Sequence, residues 1–244
     1  VYVLLGRSAW NWPALVNSLT TGNGTLIDGR NGFRFDAEQT ETEDSFGSSV
    51  AAGDINGDGK DDIIVGAPNF RPGGAAYVIW GRSSGWSATQ DANTTFLDGG
   101  GTALNGFRLK GESVGDYFGT SVASGDINGD GKDDIIVGAS TLTPGGSHTG
   151  YTYVIWGNNL GWSTTQTVNT TFLNGAGTAA NGFRLDGPTT TELFGSRVAV
   201  GDVNGDGKKD IITGAFNAAP GGRSAAGSVY VVWGNNTGWS ATQT

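Results

Sequence analysis

The chain contains no cysteine and no methionine, a single histidine and only 6 prolines in 244 residues. Without cysteine there is neither a disulfide framework nor a thiolate metal site, and secretion is neither required nor excluded. Without methionine even at position 1, the chain reads as other than an intact translation product: a leader was removed, or a longer protein surrounds it. No apolar run approaches the roughly 18 residues of a membrane-crossing helix. Positive charge is scarce, with 14 Lys and Arg against 23 Asp and Glu and a net charge of −9. So few scattered cations make no phosphate-binding stripe, which argues against a nucleic-acid binder. The acidic balance suits soluble, cation-binding material. A Ser-His-Asp hydrolase would have to centre on His148, in a Gly/Ser/Thr-rich loop, and a lone loop histidine is ordinarily just solvated. The chain therefore reads as non-enzymatic.

What is abundant is glycine, 44 residues of it, beside 36% hydrophobic and 10% aromatic residues. With no G-X-Y period this is not collagen but turn-rich β structure with enough apolar material for a core. An internal repeat organises it. Gly53–Ala67 recurs without change at Gly125–Ala139, and again at Gly201–Ala215 with Val203, Lys209 and Thr213 as the only differences, at offsets of 72 and 76 residues. Phe46-Gly47, Phe118-Gly119 and Phe194-Gly195 precede these segments. Tyr77–Gly81, Tyr153–Gly157 and Tyr230–Gly234 follow them, then Gly-Trp ending at Trp86, Trp162 and Trp239, then Gly-Phe-Arg at Gly32, Gly106 and Gly182.

Each unit predicts four short strands: A about Ser48–Gly53, B about Asp62–Ala67, C about Ala76–Trp80 and D about Gly106–Lys110, punctuated by Gly, Asn and Pro. Four strands per unit is the signature of a β-propeller blade. The fold class is thus all-β, antiparallel four-stranded blades, about three in this chain. They divide as a partial blade over 1–44, blades over 45–115 and 116–191, and a partial blade over 192–244. The order C-D, A-B-C-D twice, A-B-C would close a ring if the ends met. Otherwise the open edges would pair with further blades or with another copy, giving a larger or oligomeric propeller.

The A–B connection is where chemistry concentrates. It reads Asp-x-Asn-Gly-Asp-Gly-Lys-x-Asp, with oxygen-bearing side chains at positions 1, 3, 5 and 9. Ca²⁺ takes roughly six to eight hard oxygens, alternate residues can point them inward, and the two glycines supply backbone angles that a side chain would forbid. Position 7 is lysine, which can offer only its carbonyl. An EF-hand is excluded, because position 12 is Val65, Val137 or Thr213 rather than Glu and the flanks are strands. Three bound Ca²⁺ would carry the net charge from −9 to −9 + 6 = −3. Asn-Gly-Asp-Gly alone would make a good tight turn, but three copies keeping every oxygen favour chelation. Mg²⁺, which dislikes crowded protein cages, fits less well.

Phe46-Gly47, the loop Asp54–Asp62 and Gly66-Ala-Pro68 together resemble the FG-GAP repeat of integrin α-chain β-propellers. The longer linker ending in Asn-Gly-Phe-Arg-Leu is similar to that of microbial integrin-like proteins. The resemblance implies a propeller, usually of seven blades, with Ca²⁺ in the A–B loops. It further implies an extracellular or cell-surface role in adhesion, with a protein or matrix partner. The implied ligands are Asp54, Asn56, Asp58, the Lys60 carbonyl and Asp62; Asp126, Asn128, Asp130, the Lys132 carbonyl and Asp134; and Asp202, Asn204, Asp206, the Lys208 carbonyl and Asp210. Ser140 and Phe216 replace the proline of Gly-Ala-Pro in the second and third copies. The 72–76-residue units exceed the family's usual blade, and three repeats do not make seven blades.

Two further features carry alternatives. Asn-x-Thr sequons at Asn23, Asn93, Asn169 and Asn235 mark candidate glycosylation sites, against chance in a chain rich in Asn and Thr. Trp86, Trp162 and Trp239 could stack sugars in a lectin-like glycan binder, against the commoner use of such residues as core or blade-interface filler.

Overall fold

The computed structural model describes residues 1–5, 31–38, 43–99, 104–140, 149–158, 162–174, 181–189, 192–235, 240 and 242–243. His148, Asn23 and Trp239 lie outside them. The first sheet holds β1 (Tyr2–Leu4) and β2 (Gly32–Asp36), antiparallel. The next unit contributes β3 (Ser49–Gly53), β4 (Asp62–Ala67), β5 (Ala75–Ile79), a short β6 (Thr89–Asp91), the one-turn helix α1 (Thr94–Asp98) and β7 (Gly106–Lys110). Its successor repeats the order as β8 (Phe118–Gly125), β9 (Asp134–Ala139), β10 (Tyr151–Ile155), β11 (Thr165–Thr167), α2 (Thr170–Asn174) and β12 (Gly182–Asp186). The last unit adds β13 (Phe194–Gly201), β14 (Asp210–Ala215), β15 (Ser228–Val232) and β16 (Thr242–Gln243).

Strands A to D therefore exist where the repeat placed them, as the antiparallel ladders β3-β4-β5-β7 and β8-β9-β10-β12. Each ladder gains a strand the four-stranded expectation lacked. β11 pairs in parallel with β7, β16 with β12 and β6 with β2. Every unit thus lends a strand of two or three residues to the outer edge of its predecessor, which caps that edge. Among the described residues β1 pairs only with β2 and β15 only with β14, so no ladder joins the first sheet to the last.

The inner strands β3, β8 and β13 stand side by side. Ser49 Oγ accepts from Val122 N at 2.9 Å, Ser121 Oγ from Val198 N at 3.0 Å, and Ser124 Oγ donates to Ala52 O at 2.7 Å. The core lies between sheets. Ile55, Ile64, Val78 and Phe107 of one blade meet Phe118, Val137, Tyr153 and Ile155 of the next, all buried, and each such side chain is worth roughly 1.5–3 kcal/mol. The approach is closest at glycine. A Cβ on Gly66 would stand 2.1 Å from Gly119 O, and one on Gly138 would stand 1.9 Å from Gly195 O. The Gly of Gly-Ala in one blade and the Gly of Phe-Gly in the next are therefore two halves of one contact, and neither tolerates a side chain.

Candidate metal centre

The three A–B loops share one conformation. Their paired glycines adopt left-handed φ, +74° and +85° at Gly57 and Gly59, with close copies at Gly129 and Gly131 and at Gly205 and Gly207. In the first loop Asp54 Oδ1 accepts from Asp58 N at 3.0 Å and Oδ2 from Gly59 N at 2.9 Å. Asn56 Oδ1 accepts from Asp58 N at 2.8 Å, and Asp58 Oδ1 from Lys60 N at 2.9 Å. The same bonds recur around Asp126, Asn128 and Asp130 and around Asp202, Asn204 and Asp206. Positions 1, 3 and 5 thus curl the chain around their own oxygens at the protein surface.

Position 9 behaves differently. Asp62, Asp134 and Asp210 are completely buried at the first residue of β4, β9 and β14. Asp62 Oδ2 accepts from Ile55 N at 3.0 Å and Oδ1 from Gly81 N at 2.7 Å. Asp134 bonds Ile127 N at 2.8 Å and Gly157 N at 2.9 Å, and Asp210 bonds Val203 N at 2.8 Å and Gly234 N at 2.9 Å. Each latches the start of its loop to the end of strand C. The glycine after the strand-C Trp was visible as a repeat, but its role as amide donor to the ninth Asp emerges only from the folded chain. Burial pushes the Asp62 carboxyl up to about 6 and that of Asp134 up to about 7, against the backbone amides that favour the charged form. Among the described residues no Lys or Arg pairs with either; Lys60 Nζ instead lies 3.2 Å from Asp58 Oδ1.

Neighbouring loops are also tied together. Asp54 N donates to Asp133 Oδ2 at 3.1 Å and Asp133 N to Asp54 O at 2.9 Å, while Lys209 N donates to Asp126 O at 3.1 Å. This link through position 8 was not read from the sequence.

Among the described residues no three acidic side chains converge as a ready cage, because the oxygens at positions 1, 3 and 5 are turned onto their own loop amides. The donor set nonetheless suits a hard divalent ion. Every donor is oxygen, oxygens such as Asp54 Oδ2, Asn56 Oδ1 and Asp58 Oδ1 each accept a single amide and keep a second lone pair, and the ninth carboxylate is a buried anion with amide partners but no cation.

The remaining candidates fall away from this site. Trp86 stacks on Phe33 at 4.1 Å and Trp162 on Phe107 at 4.0 Å. Their Nε1 atoms donate to the carbonyls of Arg82 and Asn158. These rings seal the junction between a strand D and the following unit, so the glycan-stacking reading does not hold for them. Asn93 and Asn169 cap the helices α1 and α2, each side chain accepting the third amide onward at 2.8 Å. Their sequons are first of all capping motifs. Asn235 is exposed.

Comparison with known proteins gives the same units. The FG-GAP repeat family matches residues 46–79, 118–155 and 194–232. Over 84% of its length the chain is 32% identical to integrin alpha-IIb of Homo sapiens, covering 17% of that protein. It is 29% identical to integrin alpha-PS2 of Drosophila melanogaster over 80% of its length, covering 12% of the relative. It is 30% identical to a phosphatidylinositol-glycan-specific phospholipase D of Dictyostelium discoideum over 84%, covering 20% of it. The chain thus spans a fifth or less of each of these relatives. The chain carries three FG-GAP repeats, and over most of its length it is similar to integrin α chains.

Proposed function

We propose that this chain is a calcium-stabilised adhesion or structural module, working outside the cell or at its surface through contacts with a protein or matrix partner. The FG-GAP repeats and the integrin relatives support the adhesion-type role. The calcium reading is carried by the three ninth-position aspartates, buried anions that each close a loop of hard oxygen donors. The ligands would be Asp54, Asn56, Asp58, the Lys60 carbonyl and Asp62, with their counterparts from Asp126 to Asp134 and from Asp202 to Asp210. Calcium would rigidify the loops at one end of the blades, and the blade surfaces would meet the partner. Because the repeat occurs in relatives named as integrins and in one named as a phospholipase D, the repeat itself assigns no chemistry, and a non-enzymatic module is the reading we adopt. Within it, the division into blades at 45–115 and 116–191 is likewise our proposal.

At millimolar Ca²⁺ and a Kd of about 0.1 mM, each site would add roughly 1.4 kcal/mol. Melting and light scattering, with calcium or EDTA, test this. EDTA should lower Tm, and Asp58→Ala should reproduce about one third of that loss. Identical melts with and without calcium would remove the metal from the reading. Calcium-dependent association would point to partnering between copies.

A further inference from the structure

Arg82 is half-buried against the side chains of its own unit, the first of the three repeats. Its guanidinium lies 4.1 Å from the Trp86 ring centroid and 5.9 Å from that of Phe96. Its NH1 donates to Asn105 Oδ1 at 3.1 Å and its NH2 to Gln90 Oε1 at 3.3 Å. No carboxylate pairs with it among the described residues, and desolvation lowers its pKa. Two ring faces and two amide oxygens therefore suffice to hold a guanidinium at this place.

The following unit builds the same cage. Trp162, Phe172, Gln166 and Asn181 stand at the positions of Trp86, Phe96, Gln90 and Asn105. The postures match: Trp162 Nε1 donates to Asn158 O at 2.9 Å as Trp86 does to Arg82 O at 3.0 Å, and Asn181 Nδ2 donates to Phe172 O at 2.7 Å as Asn105 does to Phe96 O at 2.7 Å. The difference is the tenant, because Asn158 occupies the place of Arg82. There the four cage residues line a cavity of about 540 Å³, whose far wall is Asn128, Asp130 and Lys132 of the second A–B loop, inside the roughly 300–1,000 Å³ range of ligand pockets.

We propose that this cavity takes the guanidinium of an arginine side chain from a partner polypeptide, as the equivalent cage in the preceding unit holds Arg82. The aromatic faces attract a cation, the planar fork of arginine suits two fixed amide acceptors better than an ammonium does, and the chain's net charge of −9 favours a basic partner. The inference rests on the protein partner proposed above and gives it a chemistry; the cavity shares Asn128, Asp130 and Lys132 with the second A–B loop, so binding is measured both with and without calcium.

The probe is N-acetyl-arginine N-methylamide, with the citrulline and lysine analogues beside it, followed by ligand-observed NMR in EDTA and again in calcium. The arginine compound should bind at least about tenfold more tightly than citrulline, which has the same shape without the charge. Asn158→Arg, which copies the preceding unit, should keep the fold and abolish the difference. Arg82→Asn should open a second cage and increase arginine uptake. Equal binding of arginine and citrulline, or arginine binding untouched by Asn158→Arg in a folded protein, would overturn the proposal. Arginine binding that persists in EDTA while the calcium melts show no metal effect would leave this inference standing and remove the calcium reading alone.

Discussion

The sharpest test of the metal loops is the joint dependence of stability on pH and calcium. Burial raises the carboxyl of Asp62 to about 6 and that of Asp134 to about 7, from 3.8 in the unfolded chain. Without metal, the folded chain therefore binds more protons than the unfolded one between about pH 4 and 7, and its stability falls as pH rises through that window. A divalent ion against the same carboxylates would hold them ionised and flatten the slope. The stabilisation added by calcium should then grow with pH, by up to about 1.4 kcal/mol per unit for each titrating group. Across pH 5 to 8 the two groups together supply about 4 kcal/mol. At roughly 2–4 °C per kcal/mol for a chain of this length, the calcium-induced rise in Tm should be about 8–16 °C larger at pH 8 than at pH 5. Calorimetric melts in calcium and in EDTA at each unit of pH measure this, and a weakly buffered calcium titration at pH 6 should release roughly one to two protons per chain. A calcium shift of the same size at pH 5 and pH 8, with no proton released, would mean that the ninth aspartates do not face the ion.

Other outcomes follow from the same geometry. Asp62→Ala strands the amides of Ile55 and Gly81 and should cost about 2–6 kcal/mol even in EDTA, whereas Asp58→Ala should lose stability chiefly when calcium is present; equal urea midpoints for Asp62→Ala and the parent in EDTA would contradict the latch. Gly138→Ala sets a methyl 1.9 Å from Gly195 O and should cost about 3 kcal/mol or more, while Gly205→Ala, with open space but φ of +76°, should cost about 1–2 kcal/mol of backbone strain alone; chemical denaturation ranks the two. Trp162→Ala should cost about 3–5 kcal/mol because the ring is nearly buried, and glycan-array binding by the parent that this change abolishes would restore the sugar-stacking role.

The loops and the four strands per unit were legible because their causes are local. Alternating oxygens and paired glycines define the loop within nine residues, and Asp62–Ala67 is an apolar β-branched run with a turn on each side. The lent strands were not legible for the opposite reason. Thr89–Asp91 is three polar residues without alternation, and its partner β2 belongs to the preceding unit. A signal did exist in the recurrence of Ser-x-Thr-Gln after each Gly-Trp, at Ser87, Ser163 and Ser240. The helices were present in the sequence too, but Asn93-Thr-Thr was weighed as a sugar acceptor. Asparagine before Thr-Thr-Phe-Leu is also an N-cap, and Gly99 at φ +59° closes α1 with the left-handed turn that such a cap predicts at the other end.

Repetition explains both what was found and what was hidden. Positions kept in every copy report a shared duty, so the three loops and the Phe-Gly and Gly-Ala contacts stand out. Positions that break the repeat report a local one, and they look like drift until the surrounding cage is seen. Gly-Arg at residues 81 and 82 and Gly-Asn at 157 and 158 differ by one residue on a string. In the folded chain that residue decides whether two ring faces and two amide oxygens are satisfied from within or turned toward a partner. A repeat protein can acquire a binding site this way without building one, by withdrawing an internal side chain from a cage that is already formed and leaving its chemistry for another molecule to complete.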